Sequence, residues 1–191
     1  MPVKSLIKSE ETDTFYTDEN GELTLPNVLP IGNYQLEETV PPKGFLINTE
    51  PIKFTVDDEM DFYPDDPNKQ FDYDENTRDV VINLTFKDDP TTTLFSKEDV
   101  SGKEVPGAHL KVWYEDDNGK EITADSWIST NEKHVIYGLI PGVTYHMTET
   151  IPAPGYATAK DVVFTVQETA EEQHIKMVDE TIKIKIVKVE K

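Results

Sequence analysis

Apolar and polar side chains alternate along several short stretches of this chain. Residues 52–56, 80–86, 109–113, 162–166 and 182–187 are rich in β-branched and aromatic residues, and several alternate strictly. Period-two alternation puts every second side chain on one face, as a half-buried antiparallel strand requires. Turn-forming clusters separate these runs: Glu19-Asn20-Gly21, Pro41-Pro42-Lys43-Gly44, Pro106-Gly107, Asp117-Asn118-Gly119 and Pro152-Ala153-Pro154-Gly155. No convincing helical stripe interrupts them. Many short strands joined by Gly/Pro turns predict an all-β protein built as tandem Ig-like, Greek-key β-sandwiches.

An internal repeat divides the chain. Residues 29–45 match residues 140–156 at one offset of 111, sharing a Tyr, a Glu-Thr pair, a Pro and a Gly followed by an aromatic. Phe54-Thr55-Val56 matches Phe164-Thr165-Val166, and Lys87-Asp88-Asp89-Pro90 matches Val178-Asp179-Glu180-Thr181. Lys97 follows Asp88 by nine residues, and Lys188 follows Asp179 by nine. A module that closes on an Asp strand and is followed at once by a Lys strand explains that spacing. The expected organisation is therefore a module over 1–90, a complete module over 91–181, and a strand extension over 182–191 that resembles the start of a further module. The first module is expected to lack its opening Lys strand and its equivalent of strand 107–112. It also carries an acidic insertion near 57–79.

Composition narrows the choice of function. The 191 residues carry 38 Asp and Glu against 18 Lys and Arg, a formal charge of -20. Such a field repels nucleic acid and anionic membrane. No apolar run approaches the roughly 18 residues of a membrane span. No secretory core follows Met1-Pro2-Val3-Lys4 and no sorting signal closes the sequence, so an exported parent would make this an excised piece. Cysteine is absent, which closes the disulfide route by which small secreted modules are commonly stapled.

Strand parity brings unusual groups onto apolar faces. Lys97 shares a face with Phe95, Glu149 with Tyr145 and Met147, and Asp179 with Ile175 and Met177. An unpaired charge on a buried face is expensive. The motifs around these residues are Phe95-Ser96-Lys97-Glu98-Asp99, Gly102-Lys103-Glu104-Val105-Pro106-Gly107-Ala108, Tyr145-His146-Met147-Thr148-Glu149-Thr150 with Ala153-Pro154-Gly155-Tyr156, and His174-Ile175-Lys176-Met177-Val178-Asp179. In this order and spacing they resemble the CnaB-type, prealbumin-like repeats of Gram-positive adhesins and pilins. The resemblance covers the second module and the rear half of the first. It implies a Lys97–Asp179 isopeptide crosslink formed autocatalytically with Glu149 as the catalytic residue. Burial favours the neutral forms of amine and acid, and well-oriented groups within one fold gain about 7–11 kcal/mol over a bimolecular reaction. Glu180 is a rival acceptor beside Asp179.

In the first module the same motif positions fall on Glu38 and Asp88, without their lysine. Lys4 and Lys8 lie too close to Glu38 in sequence to take its place. Lys188 is placed like an opening lysine, so Glu38, Asp88 and Lys188 form an incomplete second site. Donation of strand 182–191 to the first module of a neighbouring molecule would complete it. The function implied is a structural stalk or adhesin module of a bacterial cell-surface protein, extracellular and associated with the cell wall. Its crosslinking turns over once, so it is no enzyme in the usual sense. Its partners would be neighbouring modules and a host extracellular ligand, with no cofactor and no metal. The alternative is a ligand-binding adhesin module whose acidic and aromatic insertion 57–79 meets a host protein, a glycan or calcium. No EF-hand spacing supports calcium. His109, His134, His146 and His174 form no ligand motif, and no nucleophile elbow, P-loop or dinucleotide fingerprint occurs.

Overall fold

A computed structural model describes residues 2–7, 11–25, 29–56, 69–74, 79–182 and 184–189, with backbone alone for 2–7, 11–13, 69–74 and 79–82. The chain divides into two compact units. Unit 1 holds residues 1–42 and 46–89; unit 2 holds 43–45 and 90–191. The described residues contain strands and no helix.

Unit 2 is a sandwich of two sheets. Strands β7 (Thr92–Asp99), β10 (His134–Tyr137) and β13 (Gln173–Asp179) form one sheet in the order β10-β7-β13. Strands β8 (His109–Glu115), β9 (Glu121–Ile128), β11 (Thr144–Ile151) and β12 (Val162–Thr165) form the other, in the order β12-β11-β8-β9. Neighbours are antiparallel except β13 and β7, the last strand and the first, which run parallel with Met177 opposite Lys97. Inward residues of both sheets meet in one core that includes Phe95, Leu110, Val112, Tyr145, Met147 and Met177. The alternation that predicted the strands thus reports which face is buried.

Local chemistry ends the strands where the sequence indicates. Asp99 closes β7: its Oδ1 accepts the backbone N–H groups of Ser101 at 2.8 Å and Lys103 at 3.1 Å. Hydrogen bonds from Ser101 and Lys103 hold its carboxyl below the ordinary range. Gly102, at φ +83°, supplies the left-handed residue of this turn. Asp116 caps the β8–β9 turn in the same way, accepting from the N–H groups of Asn118 and Lys120, both at 2.9 Å.

Unit 1 contains β1 (Pro2–Ile7), β2 (Glu11–Tyr16), β3 (Gly32–Glu38) and β4 (Ile52–Val56) in one antiparallel sheet, ordered β2-β1-β3-β4. Tyr34 is buried and stacks on Phe54, ring centroids 5.4 Å apart. Strands β5 (Lys69–Asp74) and β6 (Asp79–Leu84) pair as a two-stranded sheet.

Two expectations change here. The equivalent of strand 107–112 was expected to be missing from unit 1, yet β1 occupies that place. It lies between β2 and β3 as β8 lies between β9 and β11, with Val3 opposite Glu38 as Leu110 is opposite Glu149. The insertion 57–79 contains the strand β5. Its Phe71 and Tyr73 alternate with Gln70, Asp72 and Asp74, a period-two pattern beneath the acidity. Residues 57–68 and 75–78 of the insertion lie outside the described residues.

Candidate functional site: a buried amine between two carboxyl groups

Three strands of unit 2 bring the three predicted side chains together. β7 carries Lys97 on the face of Phe95, β11 carries Glu149 on the face of Tyr145 and Met147, and β13 carries Asp179 on the face of Met177. Relative exposure is 2% for Lys97, 4% for Glu149 and 0% for Asp179. Parallel pairing of β13 with β7 puts the lysine and the aspartate on adjacent strands, while β11 approaches from the facing sheet.

The Lys97 ammonium donates a hydrogen bond to Asp179 Oδ1, and its Nζ lies 3.0 Å from Glu149 Oε1. Glu149 is fixed from behind: its Oε2 accepts the backbone N–H of Ala159 at 2.7 Å. Its Oε1 accepts no hydrogen bond and has the Lys97 charge as company; Asp179 Oδ2 is likewise buried without a hydrogen-bond partner. Burial pushes the Asp179 carboxyl above the usual range, opposed by the hydrogen bond and charge of Lys97 and reinforced by the charge of Glu149. Glu180, the rival acceptor, is exposed. In chemical terms, an amine is held in a dry interior against one carboxyl group, with a second carboxyl group beside both.

Unit 1 repeats the carboxyl half of this arrangement. Glu38 is buried, and its Oε2 accepts the backbone N–H of Asn48 at 2.8 Å, ten residues further on, the separation seen for Glu149 and Ala159. Glu38 Oε1 and Asp88 Oδ1 are buried and without a hydrogen-bond partner as ionised oxygens. A proton held by one carboxyl would let it donate to the other. Burial is the main cause lifting Glu38 above the ordinary range, opposed by the Asn48 N–H and supported by the Asp88 charge. Burial also lifts Asp88, against a hydrogen bond from Glu38 and with the charge of Asp89. Among the described side chains no cation reaches either acid. Lys4 stands in register with Glu37, not Glu38, and Lys8 lies outside the described residues. Lys188 is exposed in the extended tail of unit 2.

Sequence reasoning missed the main-chain donors Ala159 and Asn48, because an N–H group has no residue signature. It also missed a surface cluster in which His134 Nε2 lies 2.7 Å from Asp125 and the imidazole stacks on Trp127 at 4.2 Å. Its side chains are partly exposed. Among the described residues no group of three His, Cys, Asp or Glu could hold a metal ion, and no helix is long and apolar enough to cross a membrane.

A family model described as SpaA, prealbumin-like fold domain, matches residues 4–68 and 91–181, well over half of the chain. No curated protein matches it. Among solved structures, the Bacillus anthracis TIE protein is similar at 19% identity and a TM-score of 0.49, over 95% of this chain and 30% of that one. The C-terminal fragment of the pilus adhesin SpaC from Lactobacillus rhamnosus GG is similar at 14% identity and a TM-score of 0.48, over 97% of this chain and 91% of that one. A streptococcal ancillary pilin follows at 20% identity and a TM-score of 0.38, over 94% and 57%. The chain thus spans less than a third of the first of these structures, and none of the three likenesses carries a functional role to it.

Proposed function

Because the chain belongs to the prealbumin-like fold domain family, we propose that it is a structural stalk or adhesin module of a bacterial cell-surface protein, with unit 2 locked by a Lys97–Asp179 amide that forms without an enzyme. The observation that carries this reading is the Lys97 amine held between Glu149 and Asp179 in the core. Stabilising a small cysteine-free module by such a bond replaces the disulfide it lacks.

The chemistry needs no co-reactant. Asp179, favoured in its neutral form by burial, takes a proton from the Lys97 ammonium. The neutral amine attacks Asp179 Cγ. Glu149 accepts a proton from the attacking nitrogen and delivers one to the departing hydroxyl. The Nζ–Cγ bond forms, a Cγ–O bond breaks, and one water leaves. Proximity in the folded core supplies much of the acceleration. Each module reacts once. The product joins the first and last strands of unit 2, closing a loop of 82 residues. In the chain-entropy treatment that loop is worth about 4–5 kcal/mol.

Intact mass is the test. The parent protein is expected about 18 Da, one water, below its sequence mass. Lys97→Ala, Asp179→Ala and Glu149→Ala should each restore the full value. A parent at full sequence mass sinks the proposal.

A further inference from the structure

We propose that Glu104 is a positioning residue for the reaction of Lys97: its carboxylate stands in for a strand beside β7 and fixes the main chain from which the amine reaches Asp179. The role rests on the Lys97–Asp179 amide proposed above and adds a residue outside the reacting trio. Strand β7 has β13 along one edge, from Thr93 to Asp99. Along its other edge β10 pairs from Thr92 to Phe95, where His134 stands opposite Phe95. Past Phe95, the turn that follows β7 folds back to supply that edge.

The fold-back is an antiparallel ladder that breaks at Lys97. Glu98 and Glu104 form a bridge. On one side of it the Asp99 N–H donates to the Lys103 carbonyl at 2.9 Å, and on the other the Val105 N–H donates to the Lys97 carbonyl at 2.7 Å. An unbroken ladder would return the Lys97 N–H to the Val105 carbonyl, because such a pair exchanges both bonds. That carbonyl instead accepts the hydroxyl of the buried Ser129 at 2.6 Å. Pro106 follows, and Gly107, at φ +94°, donates its N–H to the Ser129 carbonyl at 2.9 Å as the chain turns toward β8. The Lys97 N–H goes to Glu104 Oε2, 3.0 Å away. A side chain thus takes the place of main chain at the residue whose amine reacts.

Burial makes the substitution matter. Lys97 is 2% exposed, so water is a poor replacement for a lost acceptor, and a buried N–H without a partner is avoided. A carboxylate is also a stronger acceptor than a carbonyl. The amine sits at the end of a flexible four-carbon stem. Asp179 and Glu149 hold its far end; Glu104 and Val105 hold the main chain at its root. Amide formation needs the nitrogen aligned within about 3–3.5 Å of the carboxyl carbon, and a misplacement of about 1 Å can slow such a step about a hundredfold. Glu104 therefore acts through the Lys97 backbone and takes no part in moving protons.

The rate of water loss per folded chain tests this. The full chain is made by cell-free synthesis and sampled at intervals. Intact mass after an acid quench gives the fraction lighter by about 18 Da, and a brief protease pulse gives the fraction with unit 2 folded. Glu104→Met keeps the side-chain length and loses the acceptor; Glu104→Ala removes the side chain beyond Cβ. In each, the rate per folded chain should fall about tenfold to a hundredfold. Glu104→Gln keeps an oxygen acceptor and should restore most of the rate. Either loss variant that folds is sufficient. Parent-like rates in Glu104→Met and Glu104→Ala, or Glu104→Gln as slow as Glu104→Met, overturn the positioning role and leave the amide standing. If neither loss variant gains a protease-resistant unit 2, Glu104 serves folding alone and the positioning role falls. A parent that keeps its full sequence mass overturns the amide and the role together.

Discussion

Glu38 in unit 1 and Glu149 in unit 2 are held alike and face different company. Each is buried on the third strand of an equivalent sheet, and each accepts a main-chain N–H ten residues further on. Beyond Glu149 lies an ammonium; among the described side chains, Glu38 faces a second acid, Asp88. The same main-chain support thus holds the glutamate in both units, with Lys97 beside it in unit 2. What the lysine changes is the electrostatics. In unit 2 the burial that raises Asp179 is opposed by Lys97. In unit 1 burial raises both acids, and the Asp88 charge raises Glu38 further. Two buried acids facing each other are electrostatically costly, and the amide proposed for unit 2 needs a lysine between them.

The largest expected effect comes from making unit 2 resemble unit 1. Lys97→Ala removes the amine, so the crosslink worth about 4–5 kcal/mol cannot form. It also leaves Glu149 and Asp179 facing each other in the core, a configuration that costs about 3–5 kcal/mol when a buried pair loses one partner. Asp179 would relieve part of that by staying protonated. Thermal unfolding followed by calorimetry should show the unit 2 transition falling by well over 10 °C and the unit 1 transition unmoved. Lys97→Met loses the bond while filling the space with apolar atoms, and its transition should lie above that of Lys97→Ala. Equal stability of Lys97→Ala and the parent would end the comparison, since the lysine would then be incidental.

A smaller effect is expected from the reverse operation, quieting the acid pair in unit 1. Both Glu38 and Asp88 have folded-state values raised above those of the unfolded chain. Each therefore contributes stability that is fully present below its unfolded value and is lost as the pH rises through the folded one. Acidification from neutral toward the ordinary carboxyl range should raise the midpoint of unit 1 unfolding. Glu38→Gln removes one titrating group and offers an amide N–H to Asp88 Oδ1. It should stabilise unit 1 by about 1 kcal/mol at neutral pH and flatten the pH dependence. Parent and variant share nearly all of the -20 charge, so their difference isolates the pair from general repulsion. An unchanged slope in the variant would show that the two acids do not sense each other.

The site was more legible in the sequence than the sheet around it. The resemblance to CnaB-type repeats singled out Lys97, Glu149 and Asp179, parity placed them on apolar faces, and the repeat supplied Glu38 and Asp88. β1 was not legible as the counterpart of β8. Pro2–Ile7 and His109–Glu115 share little beyond β-compatibility, and it is pairing with β3 that gives β1 its place. Strand β5 was hidden by its charge: Asp72 and Asp74 suggest a solvated loop until β6 pairs with it. Parity with Ile175 and Met177 favoured Asp179 over its rival Glu180, because one residue of register decides which of two neighbouring acids faces the core.

That register yields the smallest effect, and the most selective. Glu180 follows Asp179 directly, is exposed, and gives its backbone carbonyl to the Ala157 N–H at 3.1 Å. Its carboxyl has no part in the buried cluster. Glu180→Ala should keep the mass deficit of about 18 Da and shift unit 2 stability by no more than about 0.5 kcal/mol, the usual range for a surface substitution. Asp179→Ala should abolish the deficit and destabilise unit 2 strongly. Two adjacent acids with opposite outcomes would tie the reaction to the inward face of β13. If Glu180→Ala restored the full mass instead, β13 would be one residue out of register, and the likeness drawn between Asp88 and Asp179 would pass to Asp89 and Glu180.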